Sequence, residues 1–264
     1  MRHAVLLTIL AGAAGLTAAA LAWPLLVAAL EACGASWAEA ALSPRRLGLL
    51  LRGAGVALLA CLLAQVLGAM LAAGLVRTGS WTRAVCIWAC LAVLLTPPYI
   101  FAYAWSLPVW PEGLPTGAAL AATGWLSTWG RAAWCLGTWT SPVAAFVLAV
   151  GWRRAGQSIH ALALFDVGPV RAAWCALPAM APWLALSATI CLLLCLTEYS
   201  VCHLCLVQTY NTELLAEVQL LGRAGQGTLL AWPLVALLLP PLAVLWLLRG
   251  RLSTALRDVV WGGE

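Results

Sequence analysis

Residues 151–182 read GWRRAGQSIHALALFDVGPVRAAWCALPAMAP, a polar excursion between two long apolar runs. It carries Arg153, Arg154, His160, Asp166 and Arg171. The pattern predicts two short helices broken at Gly168-Pro169, where Gly frees the backbone and Pro suits the first turn of a new helix. Pro178 and Pro182 mark the entry to the next apolar run. Such an excursion inside a greasy chain is a place where a soluble partner can dock.

The surroundings define the class. Hydrophobic residues make up 64% of the 264 and charged residues 9%, against roughly 45–50% and 25% in soluble domains. So few charges could not solvate a water-soluble domain of this size. The expectation is an all-α polytopic membrane protein. All fourteen cationic side chains are arginine. Without lysine there is no P-loop, so nucleotide hydrolysis by that motif would have to reside on another chain. The net charge of +5 is spread over segment ends and points to topology rather than to nucleic acid.

Six runs are long and apolar enough to span a bilayer, for which about 20 residues are needed. They cover about 4–30, 53–76, 84–107, 132–152, 179–204 and 228–248, with a connecting loop at about 153–178. The first follows Met1-Arg2-His3 and is 27 residues without a charge, much longer than a signal-peptide core. The third contains Pro97-Pro98, a pair that kinks a spanning helix. Residues 113–130 are uncharged but rich in Gly, Thr, Ser and Trp, and read either as an outer loop with an interfacial helix or as a seventh span.

Arginine placement chooses six. With both termini inside, the inner segments hold Arg2, Arg77, Arg83, Arg153, Arg154, Arg171, Arg249, Arg251 and Arg257, against Arg45, Arg46, Arg52 and Arg223 outside. That asymmetry follows the positive-inside bias. It puts residues 151–182 in the cytoplasm.

Four passages in this order resemble the permease subunit of binding-protein-dependent ABC importers (the MetI-like six-helix fold), especially the ferric-iron branch. They are LRGAGVALLACLLAQVLGAMLAAGLVRTGS from Leu51, LLTPPYIFAYAW from Leu94, HALALFDVGPVRAAWCALP from His160 and LTEYSVCHLCLVQTYNTELLAEV from Leu196. The third is similar to the family's EAA loop, although its leading Glu is absent and the stretch to Leu177-Pro178 is short. The resemblance implies a single permease domain in a bacterial inner membrane that is not itself an enzyme. It also implies cytoplasmic ATPase subunits below, a periplasmic solute-binding protein above, a second permease subunit beside it, and a small solute such as ferric iron. Ser158, His160, Leu162, Phe165, Asp166, Gly168, Pro169 and Arg171 would then form the ATPase-coupling loop. Ser158 is the expected N-cap and Leu162 and Phe165 the apolar knobs.

Elsewhere, Glu198 is an acid near a helix end, and an intramembrane carboxylate is a functional candidate by default. With Tyr199, and with Pro97, Pro98, Tyr99 and Tyr103 from the third run, it would line a conduit. Two other readings stay open. Cys202 and Cys205, with Cys33, could serve a membrane thiol–disulfide oxidoreductase, and Glu198 could serve an ion-coupled carrier. Neither a metal site nor a cofactor is expected: Cys202-His203-x-Cys205 lacks the second ligand pair that zinc wants.

Overall fold

The computed structural model describes residues 26–27, 30, 42–106, 124–221 and 229–261, so all but three residues of the expected first helix, and residues 113–123, lie outside the described residues. Every described element is helical. In chain order they are α1 (Pro44–Arg77), α2 (Ser80–Leu95), α3 (Pro98–Ser106), α4 (Gly124–Gly151), a π-turn (Trp152–Gly156), α5 (Gln157–Asp166), α6 (Pro169–Thr197), α7 (Ser200–Leu204), α8 (Tyr210–Leu221) and α9 (Trp232–Trp261). Four helices are long and apolar enough to cross a membrane: Pro44–Val76, Thr128–Arg154, Trp174–Thr197 and Trp232–Gly250. The bent pair α2–α3 makes a fifth if counted as one span. The chain is an all-helical, membrane-embedded protein.

Helix α1 starts nine residues before the expected 53. Ser43 caps it, its hydroxyl accepting from Arg46 N at 3.2 Å, and Pro44 opens the first turn. Its 34 residues span about 50 Å, well beyond the ~30 Å hydrocarbon core. The excess carries Arg45 and Arg46, cations at the wrong end of the helix dipole. Glu213 and Glu217, one turn apart on α8, offset them through Arg45–Glu213 at 2.9 Å and Arg46–Glu217 at 2.8 Å.

At its other end α1 closes on Thr78, which returns its N–H and its hydroxyl to Gly74 O. The next carbonyl, Leu75 O, accepts from Arg83 Nε at 2.9 Å and from Arg153 Nη2 at 3.3 Å. Arg83 and Arg153, far apart in sequence, therefore meet at one end of the bundle, opposite Arg45 and Arg46.

The core is a three-helix unit of α1, α4 and α6. Helices α1 and α4 meet along small residues spaced four apart: Ala60, Ala64, Gly68 and Ala72 on one, Ala133, Gly137, Ser141 and Ala145 on the other. Gly137 sits on Ala60 and Leu63, while Gly68 sits on Ser141, Ala144 and Ala145. The two helices thus run parallel, and the chain between them returns across the full thickness. Without a hydrophobic drive between helices in lipid, close backbone approach through Gly and Ala supplies the packing.

Helix α6 runs antiparallel to both. Gln65 Nε2 donates to Ser187 Oγ at 2.9 Å, Cys61 to Ala188 O at 3.4 Å and Cys191 to Thr140 O at 3.8 Å. Pro142 inside α4 removes the N–H that Thr138 O would have accepted, and Ser141 Oγ donates to that carbonyl at 2.8 Å instead. The kink is satisfied locally.

Several expected boundaries change. The third run is not one continuous helix over 84–107: it breaks at Thr96-Pro97, where the sequence predicts a kink, and its halves meet at 101°. Trp139 Nε1 of α4 donates to Thr96 O at 3.0 Å and holds the break. The helix expected over 132–152 begins at 124, because its polar first turns are still helical. The one expected over 179–204 begins at Pro169, takes Pro178 and Pro182 inside it, and stops at Thr197. The last helix starts at Trp232 and runs on to Trp261, past the expected 248. Among the described residues α9 leans on α6 and is otherwise exposed, and Arg249 stacks 4.2 Å over the Trp246 ring where the apolar segment ends.

Candidate functional site

The connecting segment at 153–178 is helical on both sides of a break at Val167-Gly168, close to where the sequence predicts one between two helices. From α4 the backbone passes without leaving the αR region through the π-turn into α5, and only Val167 and Gly168 interrupt it before α6. Two close approaches fix the passage. A β-carbon on Gly151 would stand 2.4 Å from Trp183, and one on Gly156 would stand 2.9 Å from Trp152 and 3.2 Å from Met180 Sδ. Larger residues would force α6 away from the turn, and the wide π-turn lets the chain clear it.

This arrangement corrects the role expected of Ser158. It is the second residue of α5, makes no capping bond, and lies exposed, because the preceding turn already supplies helical carbonyls. His160 packs against Trp152 at a tilt of 55°, with ring centroids 5.2 Å apart, which ties α5 to the π-turn. Gly168 is the cap before α6, with Pro169 in its first turn as the sequence predicts. Arg171 and Asp166 are exposed.

The chemistry of α5 lies in its outer face. Phe165 is 87% exposed and Leu162 68%, with Leu164 and Trp174 also uncovered. Phe165, Leu162 and Leu164 fall between the spans that end at Arg154 and begin at Trp174. Lipid therefore does not explain their exposure as it explains that of α9. An uncovered Phe forgoes about 2 kcal/mol of burial. Behind α5 an apolar cleft of about 220 Å³ opens between α1, α4 and α6, lined by Ala72, Val76, Trp152, Leu177 and Met180.

The residues expected to line a conduit separate into two places. Tyr99 and Tyr103 lie exposed on α3, while Ala102 between them packs into the core with Val201, Cys202 and Cys205. Pro97 is exposed and Pro98 half-buried. Glu198 caps α7, accepting from Ser200 N at 2.8 Å and from its hydroxyl. It lines a small cavity with Gly53, Thr209, Tyr210 and Asn211. Tyr199 points to a different, apolar groove beside Leu214 and Leu238. Helices α3 and α7 do pack together, so the two groups are neighbours by element rather than one lining.

Cys202 and Cys205 are buried, and among the described residues no group of His, Cys, Asp and Glu could hold a metal ion. Sequence reasoning missed the α8 carboxylates and the polar pair Gln65–Ser187. The i, i+4 spacing of Glu213 and Glu217 was the available signal for the first. Compared with known protein families and with curated proteins, the chain matches none of them.

Proposed function

We propose that this chain is the translocation subunit of an ATP-driven importer in a bacterial inner membrane, with α5 as the element that docks a separate cytoplasmic ATPase. The observation that carries this reading is the uncovered Phe165 and Leu162 on a short helix set between two spans. Arg153, Arg154 and Arg171 flank them. That combination suits a soluble, acid-rimmed cleft better than a bilayer. The parallel run of α1 and α4 agrees with a single span between them, as the six-span reading has it, and the arginine asymmetry supports both termini inside. The resemblance to permease subunits supports separate ATPases and a second permease subunit, and the lack of lysine agrees with the first of these. A solute-binding protein on the far side and a small solute such as ferric iron follow from the resemblance.

Two observations weigh against the rivals. Burial of Cys202 and Cys205 disfavours thiol exchange with a substrate, and the bonds from Ser200 N and Oγ to Glu198 occupy the carboxylate locally, where a carrier would leave it to the transported ion. The test is purification of the intact protein from its membranes with the co-purifying P-loop ATPase identified and quantified, beside Phe165→Asp and Gly168→Arg. Wild type retaining the ATPase and both variants losing it is the expected result. Wild type retaining none overturns the reading.

A further inference from the structure

Where α1 closes, two guanidiniums share one acceptor. Arg83 Nε and Arg153 Nη2 both donate to Leu75 O, at 2.9 and 3.3 Å, and Arg83 Nη2 donates to Thr78 O at 3.1 Å. Cations suit the carbonyl end of a helix. Capping needs only one of them, however, and two like charges on one oxygen repel each other. Among the described residues neither has a carboxylate partner. Arg153 is exposed and uses one of its five N–H donors on Leu75 O. The pair is a cationic site that lacks its anion.

The apolar cleft of about 220 Å³ begins beside it. Val76 follows the shared carbonyl in sequence, Trp152 precedes Arg153, and both line the cleft. From Val76 it follows one stripe of α1 back to Ala73 and Ala69, about 10 Å into the span. Leu177 and Leu184 of α6 form the facing wall. Ala69, Ala73 and Leu177 are exposed, so the cleft opens outward from the described bundle at membrane depth. Trp81, two residues before Arg83, and Trp174, the first residue of the α6 span, are 78% and 66% exposed at this end. Exposed tryptophan marks the level of lipid headgroups.

We propose that the cleft and its two arginines bind an anionic phospholipid, with its phosphate on Arg83 and Arg153 and one acyl chain along Ala73, Ala69 and Leu177. Basic pockets between spanning helices hold acidic headgroups in this way. The arginine asymmetry turns this end toward the inner leaflet, the one with the anionic surface.

Charge selects this occupant over the others. The uncharged run at 4–30 of this chain could fill the cleft, but it brings no acid to the two cations. A second copy in the same membrane orientation would bring the same arginine-rich end. A zwitterionic lipid carries its own cation beside the phosphate, and free phosphate would leave the apolar cleft empty. The site rests on the membrane class alone and not on the importer reading.

The experiment is native mass spectrometry of the full-length protein in detergent, titrated with dioleoyl phosphatidylglycerol, dioleoyl phosphatidylcholine or inorganic phosphate. Wild type should bind phosphatidylglycerol more tightly than phosphatidylcholine, and inorganic phosphate should displace neither. Arg153→Gln keeps an amide donor for Leu75 O and should weaken phosphatidylglycerol about fivefold, with phosphatidylcholine unchanged. Ala73→Leu fills the cleft from its exposed rim and should weaken both lipids about tenfold. Leu177→Trp repeats that test from the facing wall, and lipid-free melting temperatures verify that each variant is folded. Arg249→Gln, near the end of the α9 span and outside the cleft, should change neither lipid. Equal binding of the two lipids by wild type overturns the proposal. So do equal losses from Arg153→Gln and Arg249→Gln, which would mean general surface attraction. Binding untouched by filling the cleft overturns it as well, since another segment or a second copy would then hold that place. Capture of an ATPase is a separate readout, so either inference can fail alone.

Discussion

Gly68 of α1 rests directly on Ala144 of α4: a β-carbon on Gly68 would stand 2.5 Å from the Ala144 β-carbon and 3.0 Å from the backbone of Ala145 and Ser141. Neither neighbour has a flexible end to move aside. Gly68→Ala should therefore push the helices apart and cost about 1–3 kcal/mol, the usual range for overpacking. Gly74, two turns along, has open space where its β-carbon would go. Gly74→Ala should instead stabilise by up to about 1 kcal/mol through helix propensity. Thermal unfolding in detergent measures both, and equal shifts would contradict the packing of this seam.

The two ion pairs at the α1 start should differ. Arg46 and Glu217 are 20% and 24% exposed, whereas Arg45 is 74% exposed. Removing Arg46 leaves a partly desolvated carboxylate and should cost about 1 kcal/mol, largely recovered in Arg46→Ala with Glu217→Ala. Arg45→Ala should cost under about 0.5 kcal/mol and lose even that in high salt. Unfolding at two ionic strengths separates them.

Tyr210 gives a pH signature. Its hydroxyl donates to Leu230 O at 2.6 Å, and burial holds the phenol above its ordinary range, with Glu217 adding to the rise and Arg46 opposing it. A raised folded-state value means that the neutral form is favoured by folding. The contribution is whole below about pH 10, the unfolded value, and disappears as pH climbs through the folded one. Tyr210→Phe should cost about 1 kcal/mol at neutral pH, and the gap from wild type should close in strong alkali. A gap that stays constant to high pH would refute it.

Phe165→Ala and Leu162→Ala change residues that touch almost nothing in this chain. Stability should move by less than about 0.5 kcal/mol. ATP hydrolysis coupled to the subunit in proteoliposomes should fall about tenfold, as loss of ~1.4 kcal/mol of docking energy implies. A large stability loss with hydrolysis unchanged would mean that α5 packs rather than docks.

Leu206, just after α7, holds a left-handed conformation at φ 57 that costs an L-residue about 1–2 kcal/mol. Leu206→Gly should relieve it and stabilise by up to ~1 kcal/mol, since the unfolded chain gains freedom in return. Hydrogen exchange at the Val207 amide reports the change locally.

The sequence makes the membrane class legible because apolar run length needs no tertiary context. Residues 151–182 stand out for the same reason. Boundaries are less legible. Ser43-Pro44 is a strong helix start, but Arg45, Arg46 and Arg52 disguise the first turns of α1 as loop until α8 supplies the partner carboxylates. Ser158 looks like a cap until the π-turn is seen to carry α4 straight into α5. Alanine and glycine four apart are plain to read, yet nothing local says which helix they face.

The small residues between α1 and α4 have one further consequence, in entropy. Alanine and glycine have no rotamers to lose, whereas ordering a long side chain costs about 1–2 kcal/mol. Joining these two helices therefore freezes almost no side-chain freedom, and dispersion contact between backbones is retained nearly in full. The bulky residues of α9, which stay largely uncovered, would surrender rotamers on packing. The bundle is thus cheapest to order at the seam where its side chains are smallest.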